Sequence, residues 1–229
     1  MSSSLSLLST RDLIARSRSV IALPIGSCEQ HGPHLPLDTD TRIAVALCER
    51  LASANDNILI APAIAIAASG EHDGFAGTLS IGTAALTTVI VEVVRSANWA
   101  NGVVLVNGHG GNAQAVHAAI DVLRGEQRRV TAWWPKFDAG DAHAGNTETS
   151  LMLAIANEVV RMELAEVGSM SPIANIIDKL RTHGIGAVSP NGILGDPRTA
   201  STEHGRALLA LLTAQLIDHV EHETATWIH

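Results

Sequence analysis

The sequence predicts a three-layer α/β/α sandwich built on a mainly parallel sheet. Two observations predict it. Short apolar runs alternate along the chain with longer segments of helical character, the pattern of a parallel sheet covered by helices on both faces. The ionisable motifs follow the ends of those apolar runs or precede the helices, and sites in open parallel sheets gather outside the carboxyl ends of the strands.

The first strand is expected at Val20–Ile25, an apolar stretch stopped by Gly26. A helix at Thr41–Ala52 follows, then a second strand at Ile58–Ala61. The segment Ile64–Leu79 is rich in small residues and irregular, and is read as an active-site loop. A helix at Ala84–Ala100 leads to a third strand at Val103–Val106, another apolar run, which breaks into the glycine-rich Asn107-Gly108-His109-Gly110-Gly111-Asn112. A helix opens there and runs over Ala113–Arg124 before a fourth strand at Val130–Trp134. The next helix is placed at Thr149–Val159, capped by Asn146 or Thr147, with Glu148 in its first turn. Pro172–Asp196 is read as a second irregular region, a lid or a subunit contact, and Glu203–Glu221 as the closing helix. At 229 residues the chain is expected to form one domain, residues 1–229.

Bulk properties narrow the function. The formal charge is −8 and no basic cluster stands out, which disfavours nucleic acid or an anionic membrane as partner. No apolar run reaches the length of a membrane span, and Met1-Ser-Ser-Ser-Leu-Ser-Leu-Leu8 does not read as a signal peptide. Two cysteines make no disulfide framework, so the cytoplasm is the expected compartment. Cys28 is expected to pack rather than react.

The chemistry concentrates in Glu29-Gln30-His31-Gly32-Pro33-His34-Leu35-Pro36-Leu37-Asp38-Thr39-Asp40. Two imidazoles and several carboxylates after a buried strand are expensive to bury without compensation, and a bound metal supplies it. The same run also reads as a polar turn with a helix cap, since Asp38, Thr39 and Asp40 all suit an N-cap. His109, centred among small residues, reads as a ligand on a loop that approaches something closely. A phosphate-binding loop is a weaker reading there, because lysine is missing and the spacing fits neither nucleotide fingerprint. The third segment, Asp141-Ala142-His143-Ala144-Gly145-Asn146-Thr147-Glu148, adds a histidine and a carboxylate. Taken singly, Glu148 suits the helix dipole and His143 suits a hydrogen-bonded core position.

Together these motifs resemble the creatininase family of metal-dependent amidohydrolases. Glu29-Gln30-His31-Gly32, Asp40, Asn107-Gly108-His109 and Glu148-Thr149-Ser150 match its metal-site motifs in order. Gly70-Glu71-His72, Gly77-Thr78-Leu79-Ser80 and Gly195-Asp196-Pro197 with Ala200, Glu203 and Gly205 match its other recurring blocks. Ser69–His72, Ala132–Pro135, Asp141–Gly145 and Val188–Pro197 look most like its mycofactocin-system peptidase branch. That branch trims a C-terminal Val-Tyr dipeptide from a modified precursor peptide. Creatininase proper has an acid two positions after the histidine of its third ligand motif; this chain has Gly111 there, which puts creatinine in doubt as substrate.

Five candidate ligands, Glu29, His31, Asp40, His109 and Glu148, favour two divalent ions over one. Zinc, iron(II) and manganese all suit these donors. The resemblance implies that Glu29, Asp40 and His109 hold one ion, with His31, Asp40 and Glu148 holding the other. An aspartate can bridge such a pair and share a hydroxide between ions about 3.5–4 Å apart. His143 is the candidate proton carrier to the leaving amine. His34 and His72 are read as orienting groups, substrate contacts or structural residues. Arg181 and Arg198 are candidates for pairing with a terminal carboxylate, or else solvated surface arginines. The expected activity is hydrolysis of a C–N bond in a short modified peptide. The alternatives are a cyclic amide or formamide substrate and, from another class, a non-catalytic metal-binding assembly protein. Relatives imply a closed homo-oligomer.

Overall fold

The computed structural model describes residues 3–16, 18–137 and 140–227. Among them, four strands form one sheet: β1 (Val20–Ile25), β2 (Ile58–Ile60), β3 (Gly102–Asn107) and β4 (Val130–Trp133). The order is β2-β1-β3-β4 and every pairing is parallel. Seven α-helices accompany it: α1 (Thr10–Leu13), α2 (Thr39–Ala54), α3 (Gly82–Ser96), α4 (Ala113–Gly125), α5 (Asn146–Ile155), α6 (Ile173–His183) and α7 (Thr202–Thr224).

The strands are apolar on both faces because both faces are covered. Ile21, Leu23, Ile25, Val103, Leu105 and Val130 pack with Leu86, Ile90 and Val94 of α3 and Val116, Ile120 and Leu123 of α4. The alternate residues, Val20, Ala22, Val104 and Val106, pack with Leu47 and Leu51 of α2, Leu151 and Met152 of α5, and Leu212 and Leu216 of α7. The predicted three layers are therefore present. The chain leaves β1 for β2 through α2 on one face, and leaves β3 for β4 through α4 on the other. The connections after β1 and β3, adjacent strands, part in opposite directions and leave a crevice at the carboxyl ends.

Several boundaries differ from the sequence expectation for local reasons. Helix α3 stops at Ser96, not Ala100, since the Ala97 N–H turns back to Val93 and Val94 and the chain must then reach β3. Helix α5 begins at Asn146 and ends at Ile155, because Ala156 leaves the helical region with φ −151° and ψ 62°. Its start is capped by neither Asn146 nor Thr147. The Asp141 carboxylate accepts the N–H groups of both. Pro172–Asp196, expected to be irregular, contains the eleven-residue helix α6. No helix among the described residues is long and apolar enough to cross a membrane.

Candidate metal centre

The three motifs meet in the crevice above β1 and β3. Residues 26–38 carry Glu29 and His31 over the sheet end, and the first turn of α2 brings Asp40 back beside them. Gly108 lets β3 end against α2, because a β-carbon there would press on the Asp40 carbonyl. His109 follows immediately. His143 arrives on an extended bridge to Leu194, whose N–H donates to the His143 carbonyl at 2.9 Å. Ala144 then takes a left-handed conformation, φ 52°, and its N–H donates to Glu148 Oε2 at 2.6 Å.

Asp40 sits centrally. Its Oδ1 lies 3.3 Å from His31 Nε2, its Oδ2 lies 3.1 Å from His109 Nδ1, and Ser27 Oγ donates to Oδ2 at 2.7 Å. His31 Nε2 is also 3.7 Å from Glu148 Oε2. Glu29 faces His109 Nε2 at 3.1 Å with one oxygen and His72 Nε2 at 3.2 Å with the other. Three ligand sets emerge, each with its donor atoms within 4.8 Å of one another: Glu29, Asp40 and His109; His31, Asp40 and Glu148; and Glu29, His31 and His143. The cap reading of Asp38–Asp40 survives only in part. Helix α2 does start there, but the Asp38 side chain makes no cap bond and pairs with Arg42, while Asp40 turns inward.

The donor set fits divalent ions. Glu29 is fully buried, yet neither carboxylate oxygen has a hydrogen-bond partner among the described residues. Such an orphaned acid is costly unless a cation meets it. Burial pushes the Glu29 carboxyl up to about 8, against the pull of His109, and pushes Glu148 up to about 7, against that of His31. For Asp40, burial is outweighed by His31 and His109, which hold it well below the usual carboxylate range. Burial would lower His31, but the charge of Asp40 raises it to about 10; Glu29 and Asp40 likewise raise His109 well above its ordinary value. One nitrogen of each ring is already committed to a carbonyl. His31 Nδ1 is 3.1 Å from the Glu29 oxygen and His109 Nε2 is 3.1 Å from the Ala68 oxygen. That leaves His31 Nε2 and His109 Nδ1, both facing Asp40, as the nitrogens free to ligate.

A cavity of about 1110 Å³ opens over Asp40, His109, His143 and Glu148. Ile173, Ile177, Leu180 and Arg181 of α6 line it across from the carboxylates. Arg181 makes no ion pair among the described residues. Arg198 does not line the cavity; it forms a two-pronged pair with Asp196, 2.9 Å at each contact, on the surface. His34 is fully buried, meets Thr149 Oγ1 at 2.9 Å and does not line the cavity. His72 lines the cavity between Glu29 and Gln30. Three polar residues at the site, Ser27, Glu71 and Gln30, were given no role by the sequence. Glu71 Oε1 lies 3.4 Å from His109 Nε2, and its place beside His72 in Gly70-Glu71-His72 was the signal. Gln30, between two candidate ligands, gave none beyond its position.

Comparison with known proteins gives the family. A sequence model of the creatininase family, described as creatinine amidohydrolase, matches residues 6–220. The mycofactocin precursor peptide peptidase of Mycobacterium ulcerans (strain Agy99) is 47% identical over 218 residues, covering 90% of this chain and 85% of that protein. The creatinine amidohydrolase of Pseudomonas putida is 27% identical over 245 residues, covering 92% of each. Among solved structures, a creatininase variant of Zn–Zn type superposes with a TM-score of 0.84 at 25% identity, covering 97% of this chain and 98% of that one. With its fold, its carboxylate–imidazole centre and these likenesses in agreement, the chain belongs to the creatininase family, hydrolases that act on C–N bonds.

Proposed function

We propose that this protein is a metal-dependent peptidase that removes the C-terminal Val-Tyr dipeptide from the modified mycofactocin precursor peptide. The observation that carries the reading is the cavity. At about 1110 Å³ it slightly exceeds the usual ~300–1,000 Å³ of small-ligand sites, and a small cyclic amide would leave most of it empty. It runs from the carboxylates to the apolar wall and the guanidinium of α6, which suits an extended apolar peptide end with a free carboxylate. The 47% likeness to the mycobacterial peptidase, against 27% to the creatinine amidohydrolase, supports the same choice.

Glu29, Asp40 and His109 would hold one divalent ion and His31, Asp40 and Glu148 a second, Asp40 belonging to both sets. Zinc, iron(II) or manganese so held would polarise the scissile carbonyl and acidify a water. His143 accepts the proton of the attacking water and returns it to the leaving amine. Ile173, Ile177 and Leu180 pack on the side chains of the departing dipeptide, and Arg181 pairs with its carboxylate. The reading places one catalytic domain in a cytoplasmic homo-oligomer, which fractionation and light scattering test.

The decisive experiment incubates metal-loaded protein with the modified precursor and reads products by mass spectrometry. Release of intact Val-Tyr supports the reading. Faster turnover of creatinine or a formamide than of any peptide would replace it.

A further inference from the structure

Gln30 stands between Glu29 and His31, and its amide is fixed in direction by two backbone groups. Its Oε1 accepts the Gly32 N–H at 2.9 Å, and its Nε2 donates to the Gly192 carbonyl at 3.0 Å. Turning the amide over would set oxygen against carbonyl and N–H against N–H, so the assignment is unique. One hydrogen on Nε2 remains.

Two ring nitrogens lie within reach of it: His72 Nδ1 at 2.9 Å and His143 Nε2 at 3.1 Å. The backbone decides between them. His143 Nε2 is also 2.9 Å from the main-chain oxygen of Gln30. A carbonyl only accepts, so His143 Nε2 carries a proton and cannot receive another. The spare amide hydrogen therefore goes to His72 Nδ1, which must be bare. His72 then carries its proton on Nε2, 3.2 Å from Glu29 Oε1. A neutral His143 has its lone pair on Nδ1, 3.8 Å from the same oxygen. The two rings are neighbours, with centroids 4.6 Å apart.

We propose that Gln30 is a positioning residue that fixes the tautomers of His72 and His143, so that His72 turns an N–H, and His143 a bare Nδ1, toward Glu29 Oε1. The division has a use. His143, with Nδ1 empty, starts the cycle able to take a proton, as the proton-carrier role proposed above requires. The proposal rests on that role for its consequence but not for its geometry.

The test is ¹⁵N NMR of imidazole nitrogens in the zinc-loaded protein, with His72 and His143 signals assigned by their loss in His72→Asn and His143→Asn. In the wild type both rings should show a protonated Nε2 and a bare Nδ1. Gln30→Glu places an acceptor where the amide donated, and the His72 proton should move to Nδ1. Gln30→Met removes the donor while keeping the shape, and His72 should become a mixture of tautomers. Both variants should keep wild-type zinc content. In Gln30→Met the His143 signals should stay as in the wild type, because its Nε2 proton is held by the main-chain carbonyl and not by the amide, so that only the His72 signals move. A protonated His72 Nδ1 in the wild type, or an unmoved His72 proton in both variants, would overturn the proposal. If Gln30→Glu does not fold, Gln30→Met alone decides. The NMR readout needs no substrate, so a wild-type protein that cuts no peptide counts against the peptidase reading and leaves the tautomer result standing.

Discussion

The Glu71 carboxylate occupies the space directly over the α-carbon of Gly111. A β-carbon on residue 111 would run into Glu71 Oε1 and His109 Nε2, and would lie 2.7 Å from the Ala68 oxygen. Gly111→Ala should therefore push His109 or Glu71 out of place and cost the ion assigned to Glu29, Asp40 and His109. Gly110→Ala is the control, since its β-carbon would meet nothing within 4 Å. Metal analysis checks both. Full metal content and normal turnover in Gly111→Ala would show that Glu71 swings aside freely and has no fixed place in the centre.

Asp40 and Glu148 should differ sharply as metal ligands. Asp40 faces His31 with one oxygen and His109 with the other, whereas Glu148 approaches His31 alone. Asp40→Ala should empty the centre, while Glu148→Gln should lose one ion of two. Ser27→Ala removes the hydroxyl that orients Asp40 and should weaken metal binding about 10–100-fold, the usual range for such supporting partners. Equal metal loss in Asp40→Ala and Glu148→Gln, measured by elemental analysis, would remove the bridge.

Much of this centre is legible in the sequence, because ligands need particular residue types and those types cluster after strands. The sheet is legible for the same reason: β1 and β3 are apolar on both faces, so their runs are unbroken. Helix α6 was passed over because it starts after Pro172 without a capping side chain and none of its residues is buried, so no strong helix-start signal marks it. Yet Ile173, Ile177 and Leu180 recur at helical spacing, and they are the residues that line the cavity. The cap of α5 was misplaced because Asp141 reaches it from five residues away, beyond the usual N-cap pattern. Gln30 is invisible in sequence for a different reason. An amide matters through which of its two ends meets which partner, and only Gly32, Gly192 and the two histidines together reveal that.

Metal binding should release protons, and affinity should rise with pH. His31 is held protonated up to about 10 and Glu29 up to about 8 in the ion-free centre. A cation must displace those protons. Both shifts are upward, so the stability they give the metal-free fold is complete below the unfolded values, 6.5 and 4.5, and is lost as pH rises through about 10 and about 8. The metal-induced gain in Tm should therefore widen between pH 6 and pH 9. Calorimetric titration with zinc in buffers of different ionisation enthalpy counts the protons. A zinc affinity independent of pH across that window would contradict the assignment of these groups as ligands.

His143 separates two roles by a single substitution. It lies within the ligand set of Glu29 and His31, yet it also stands in the cavity wall. As a proton carrier, His143→Ala should lower kcat by roughly 10²–10⁴-fold with metal content intact. Loss of an ion together with activity would make it a ligand. Unchanged kcat would leave it a packing residue.

The last expectation concerns how the cavity reads the end of its substrate. Arg181 projects from α6 into the cavity, whereas Arg198 is occupied by Asp196 outside it. If Arg181 pairs with the terminal carboxylate, amidating the precursor's C-terminus should lower kcat/KM by about 10–100-fold, the worth of one charge-assisted hydrogen bond. Arg181→Gln should cause a similar loss on the free acid and almost none on the amide, because the interaction is already gone. Arg198→Gln should cut both peptides as the wild type does. The four rate constants form a cycle, and its coupling isolates the arginine–carboxylate pair from any general effect on α6. Equal cleavage of acid and amide by the wild type would exclude C-terminal recognition by charge, and leave the apolar wall of Ile173, Ile177 and Leu180 to choose the substrate by packing.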